Sequence, residues 1–171
     1  MEIKSKSKTI HNMKRKLFIL IALLALSATC SQVRAQEVYK MVMESATRVV
    51  NNPTSNYTLT RVAQFKRTAL TYMRGKALEN PDSATVHFLD TQAYYLNEFT
   101  DRFFREILKL NGNARKDCIM TFVKASSENP IWNDPDKATT ESFIGTGELT
   151  PFSLDTDWEK AYKKIEDTFG K

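Results

Sequence analysis

Lys66 stands where a hydrophobe belongs. Between Thr58 and Leu78, the residues Leu59, Val62, Ala63, Ala69, Leu70, Met73 and Ala77 recur at helical spacing, and Lys66 falls at the centre of that face, between Val62 and Leu70. A cation in that position has two uses. Its alkyl stem can lie along apolar surface while the ammonium pairs with an acid of a neighbouring helix, or it can line a pocket that receives an anionic ligand group. A second group of candidates lies further on, where Trp132, Phe143, Phe152 and Trp158 bracket a mostly irregular stretch containing proline. Irregular segments carried on a rigid scaffold often bind ligands, although aromatics so placed also pin a loop to its scaffold. Lys66, Trp132, Phe143, Phe152 and Trp158 are therefore the candidate ligand-binding residues.

Other side chains offer less chemistry. Beyond residue 35 the only histidine is His87, which falls on the polar side of its helix near Asp90 and Thr91 and is expected in solvent. One histidine and one cysteine cannot build a four-ligand zinc site, and a di-iron bundle would need two Glu-x-x-His pairs that this chain lacks. No serine occupies a G-x-S-x-G elbow. Glu98, Asp101 and Glu106, and the cluster Asp155, Asp157 and Glu159, are available for acid–base work, but the cluster is explained more simply as acids offsetting the dipole of the last helix. No catalytic residue, metal ligand or cofactor is assigned.

The N-terminal segment sets the compartment. Lys14, Arg15 and Lys16 precede a twelve-residue apolar run, Leu17 to Ala28, and Val33-Arg34-Ala35 places small residues at the −3 and −1 positions read by signal peptidase. Residues 1–35 therefore read as a secretory signal, with Met13 a second candidate start, and the mature chain is expected to begin at Gln36. The run falls short of the roughly 20 apolar residues a membrane-spanning helix needs. Lipid attachment at Cys30 is the alternative, disfavoured because Thr29 precedes the cysteine and Ser27 occupies the position where leucine is expected.

Export changes the charge. Seven of the 25 basic residues and one of the 20 acidic residues lie ahead of Gln36, which leaves 18 basic and 19 acidic residues and a net charge of −1. A net charge near zero argues against the cationic stripe that a nucleic-acid binder needs. Its single cysteine, Cys118, excludes an intramolecular disulfide, and its place at the edge of the face carrying Ile119, Phe122 and Val123 predicts a buried thiol, with a bridge between chains as the alternative.

The elements that must position these residues are all helical. A first helix spans Glu37 to Val50, with Val38, Met41, Val42, Ala46, Val49 and Val50 on one face, and a second spans about Thr58 to Leu78. Ser83 or Asp82 is expected to cap the third, about residues 84–111, in which Val86, Leu89, Ala93, Leu96, Thr100, Phe103, Ile107 and Leu110 alternate spacings of three and four. Phe88, Tyr95 and Phe99 widen its stripe on one flank and Phe104 and Leu108 on the other, while Glu98-Arg102 and Asp101-Arg105 read as ion pairs on its polar side. Asn111-Gly112 ends it. Residues 114–126 form a fourth helix, Asp134-Pro135 starts a short one through Phe143, and Thr156 to Glu159 is a capping box for the last. No strand pattern competes. The fold class is all-α, a compact single-domain bundle of five or six helices, residues 36–171, around the long third helix.

The segments "AQFKRTALTYM", "FLDTQAYYLNEF" and "NDPDKATTESF...GELTPFSLDTDW" resemble a group of small exported helical proteins of unknown function from Bacteroidota, whose signal peptides often end in Ala-Gln as Ala35-Gln36 does. The resemblance implies export and a helical fold and transfers no active site. The function expected is a non-enzymatic binding or interaction module, periplasmic or secreted, with an envelope or extracellular protein as a candidate partner. The alternative is a small carboxylate-dependent hydrolase or lyase.

Overall fold

The chain divides into two units, residues 1–35 and 36–171. A computed structural model describes residues 37–82, 85–134, 142–143 and 151–170, all in the second unit. Five helices and one two-residue ladder make up the described fold: α1 Glu37–Asn51, α2 Tyr57–Glu79, α3 Val86–Lys109, α4 Gly112–Ser127, β1 Ser142–Phe143, β2 Pro151–Phe152 and α5 Trp158–Phe169. The fold is all-helical apart from that ladder.

α3 is the organising element, and every other helix packs on it. Its 24 residues run about 36 Å at 1.5 Å per residue. Leu89, Ala93, Leu96, Phe99, Thr100, Phe103 and Ile107 are buried along its length, as the spacing predicts. Thr100 is tolerated there because its hydroxyl donates to the carbonyls of Leu96 and Asn97, at 2.8 and 2.9 Å. Leu108 is solvent-exposed and does not widen the stripe, and Met41 on α1 is 66% exposed, so neither joins the core.

Helix ends depart from the sequence expectations in instructive ways. Thr85, not Ser83 or Asp82, caps α3 by accepting from the Phe88 amide at 3.2 Å. α3 stops at Lys109 with Leu110 extended, and Gly112 then takes φ +57°, a left-handed conformation suited to glycine, as the first residue of α4. Asp90 on α3 accepts from the Tyr39 amide at 2.9 Å, so one free amide of the first turn of α1 is satisfied by a side chain of another helix. At α5 the cap moves one residue. The Thr156 hydroxyl donates to the carbonyls of Ser126 and Ser153, and Asp157 instead accepts from the Lys160 amide.

On the polar side of α3 the anticipated pairs give way to a different i, i+4 pair and to contacts with other helices. Arg102 pairs with Glu106 at 2.8 Å and also donates to the Phe169 and Gly170 carbonyls at the end of α5. Those carbonyls have no partner within the helix, which makes them good acceptors for a guanidinium. Asp101 turns to α2 rather than to Arg105.

The short helix expected through Phe143 gives way to pairing at its end. Ser142 and Phe143 form β1, antiparallel to β2, with Ser142 opposite Phe152 and Phe143 opposite Pro151. The rest of that expected helix, residues 135–141, lies outside the described residues. Tertiary contact outweighs local propensity here, because the Phe152 ring is fully buried, 5.5 Å from Phe99 and 5.1 Å from Phe103. A backbone tethered to that ring offers its ladder groups to whatever strand lies beside it.

Candidate functional site

α1, α2 and α3 border a half-open pocket of about 120 Å³. Val42, Ala46 and Val49 of α1 and Leu59, Val62 and Ala63 of α2 form its apolar walls, with Ser45 beside them. Its polar end is Lys66, Asn97 and Asp101. The Lys66 ammonium donates to Asn97 Oδ1 and to Asp101 Oδ1, both at 2.8 Å, and Asn97 Nδ2 closes the triangle by donating to Asp101 Oδ2 at 3.1 Å. The Lys66 side chain is only 12% exposed while that of Asp101 is 42% exposed, so the pair spans from the pocket to solvent. Lys66 therefore pairs with an acid of a neighbouring helix and also lines a pocket.

The aromatic candidates do not gather at that pocket. Phe152 and Trp158 are fully buried. Trp158 packs edge-on against Phe65 and Phe99 at 5.8 and 5.3 Å, and its indole Nε1 has no hydrogen-bond partner among the described residues. Trp132 is half-buried and stands edge-on to Tyr72 and Phe88, both at 5.9 Å. These three rings pack the backbone around residues 132, 152 and 158 against the helices. The side chain of Phe143 lies outside the described residues, although its backbone belongs to β1.

Sequence reasoning missed the residue that organises that segment. Asp155 is 1% exposed and accepts three backbone N–H groups, from Ile131 and Trp132 on Oδ1 at 3.0 Å each and from Asp134 on Oδ2 at 2.8 Å. It serves the backbone of residues 131–134 and not the α5 dipole. Asp134 in turn accepts from the Tyr72 hydroxyl and pairs with Lys76 at 2.9 Å, so its side chain faces α2. Burial and the nearby carboxylates of Asp155 and Asp134 push the Tyr72 hydroxyl pKa well up, which keeps it a donor.

Gln92 ties this region to α5. Its Oε1 accepts from the Trp158 amide at 2.7 Å and its Nε2 donates to Asp157 Oδ1 at 3.1 Å. Burial opposes ionisation of Asp157, but hydrogen bonds from Lys160 and Gln92 outweigh burial and hold its carboxyl below the usual range. A carboxyl so depressed stabilises the fold above its unfolded pKa and loses that contribution as the pH falls through its folded value. The melting temperature is therefore expected to fall below about pH 4. Asp157→Asn keeps a capping oxygen and should show a shallower acid limb. Superimposable acid limbs for the two proteins would assign the effect to other groups.

The remaining candidates sit where their types suggest. His87 is exposed. Cys118 is free and buried, and burial, reinforced by Glu106, pushes its thiol pKa up. Among the described residues, no group of three or more His, Cys, Asp or Glu side chains comes together as a metal site would require, and no helix is long and apolar enough to cross a membrane. No protein-family model, curated protein or solved structure matches the chain, so the case for function rests on this geometry.

Proposed function

We propose that this chain is an exported, non-enzymatic binding module whose ligand enters the pocket between α1, α2 and α3. The observation that carries the reading is the form of that pocket, with apolar walls from Val42, Val49, Leu59 and Val62 and one polar end at Lys66, Asn97 and Asp101. Concave apolar sites with a few convergent polar groups are the usual form of small-ligand sites. Export is supported by the basic cluster, apolar run and Val33-Arg34-Ala35 step ahead of Gln36.

The hydrolase or lyase alternative asks for paired carboxylates, one as acid and one as base. The acid lining this pocket among the described residues is Asp101, whose neighbours are an ammonium and an amide. That arrangement suits holding a ligand better than cleaving one.

The test is a fragment titration of the processed protein followed by methyl NMR. Small amphiphilic compounds are expected to shift the Val42, Val49, Leu59 and Val62 methyls as a group. A diverse library in which no compound moves them would overturn the pocket reading. An intact mass beginning at Gln36 is expected for the processed chain, whereas an acylated Cys30 would replace the free exported form with an anchored one.

A further inference from the structure

We propose that the pocket ligand is a small, neutral aliphatic molecule of about six heavy atoms whose head both accepts and donates a hydrogen bond, a primary amide or an alcohol. The inference rests on the binding-module reading above and adds the ligand's size, charge and head group.

Size follows from volume. An apolar cavity of roughly 150 Å³ holds benzene, so the 120 Å³ here takes a guest of similar or slightly smaller bulk, with its head reaching the open end. The walls fix the tail. Beside Ser45, the side chains of Val42, Ala46, Val49, Leu59, Val62 and Ala63 present aliphatic surface, which fits a short or branched alkyl group.

Charge follows from the polar end. Asp101 already neutralises Lys66 at 2.8 Å, so the pocket has no uncompensated cation to draw in an anion. A ligand carboxylate would face the Asp101 carboxylate, and a ligand ammonium would face Lys66.

The head group follows from donors and acceptors left over. An ammonium has three N–H groups, and Lys66 uses two, on Asn97 and Asp101. Among the described residues no acceptor takes the third, which leaves it for a ligand oxygen. The Asp101 carboxylate takes one bond on each oxygen, from Lys66 and from Asn97, and carries about four lone-pair sites in all. It can therefore accept a further N–H or O–H. A primary amide satisfies both at once, its carbonyl on Lys66 and its N–H on Asp101.

The experiment compares isobutyramide, isobutyrate and isobutylamine on the processed protein, with xenon under pressure as a guest that has no head group. Isobutyramide is expected to shift the pocket methyls saturably, with the acid and the amine at least about tenfold weaker, the loss typical of an unmatched charged group. Lys66→Met should weaken isobutyramide about tenfold and leave the xenon shifts in place. Val49→Phe, which fills the pocket from α1 and removes no polar group, should abolish both. Isobutyrate binding as well as the amide would overturn the neutral-head proposal and leave the pocket reading standing. Xenon shifts with no binding by any of the three compounds would do the same. Failure of xenon and of every compound would overturn the proposal and the pocket reading together.

Discussion

Asp155→Asn is expected to destabilise this protein by about 2–4 kcal/mol, although it exchanges a single oxygen for an NH₂ group. The carboxylate uses both oxygens as acceptors, Oδ1 for Ile131 and Trp132 and Oδ2 for Asp134. An asparagine retains one acceptor oxygen. Whichever way it turns, its NH₂ group faces at least one backbone N–H, and a bond to a charged acceptor becomes a contact between two donors. Each charge-assisted bond of this kind contributes about 1.5–3 kcal/mol, and a buried donor left without a partner carries its own desolvation cost. Urea unfolding should show the loss as a midpoint lowered by about 1–2 M at an unchanged slope. Hydrogen exchange should locate it, with the Ile131, Trp132 and Asp134 amides losing protection first. A variant as stable as the parent would mean that Trp132, through its contacts with Tyr72 and Phe88, holds the segment without the carboxylate.

Asp155 also shows what a sequence conceals. In the string Asp155-Thr156-Asp157-Trp158-Glu159 every acid and hydroxyl looks like an N-terminal helix signal. The partners that divide their roles are backbone groups of residues 126–134 and the side chain of Gln92, and a backbone N–H leaves no trace in residue type. The same limit hid the β1–β2 pairing, which is decided by where the Phe152 ring packs. Periodic features were legible because they are local. The alternating spacing from Leu89 to Ile107 marks a buried face, and Lys66 stood out because it interrupts such a face. Its partners did not stand out, since Asn97 and Asp101 look like ordinary members of the polar side of α3. Val42 and Val49 read as core from spacing and are half-buried pocket walls in the fold, a distinction set by how closely α1 approaches α2.

Phe99→Ala is expected to cost about 3–5 kcal/mol, the range for deleting a fully buried aromatic ring. Phe99 lies at the junction of three elements. Its ring centroid is 5.1 Å from Phe122 of α4, 5.5 Å from Phe152 of β2 and 5.3 Å from Trp158 of α5, each in edge-on geometry. Edge-to-face pairs contribute about 0.5–1.5 kcal/mol beyond area burial, so the substitution removes more than one side chain's transfer energy. Relaxation cannot readily refill the space, because Phe65 is already engaged with Phe152 and Trp158, and Phe103 with Phe122 and Phe152. Phe99→Leu, which keeps much of the volume but not the ring, should lose less than the alanine variant. The pattern of loss matters as much as its size. Phe152 and Trp158 both pack on Phe99, so removing their shared neighbour should make Phe99→Ala and Phe152→Ala non-additive, with a coupling above about 0.5 kcal/mol. Strict additivity, or a Phe99→Ala cost below about 1 kcal/mol, would mean that the rings pack as separate contacts. A measurable coupling would instead make one aromatic cluster the common anchor of α3, α4, β2 and α5.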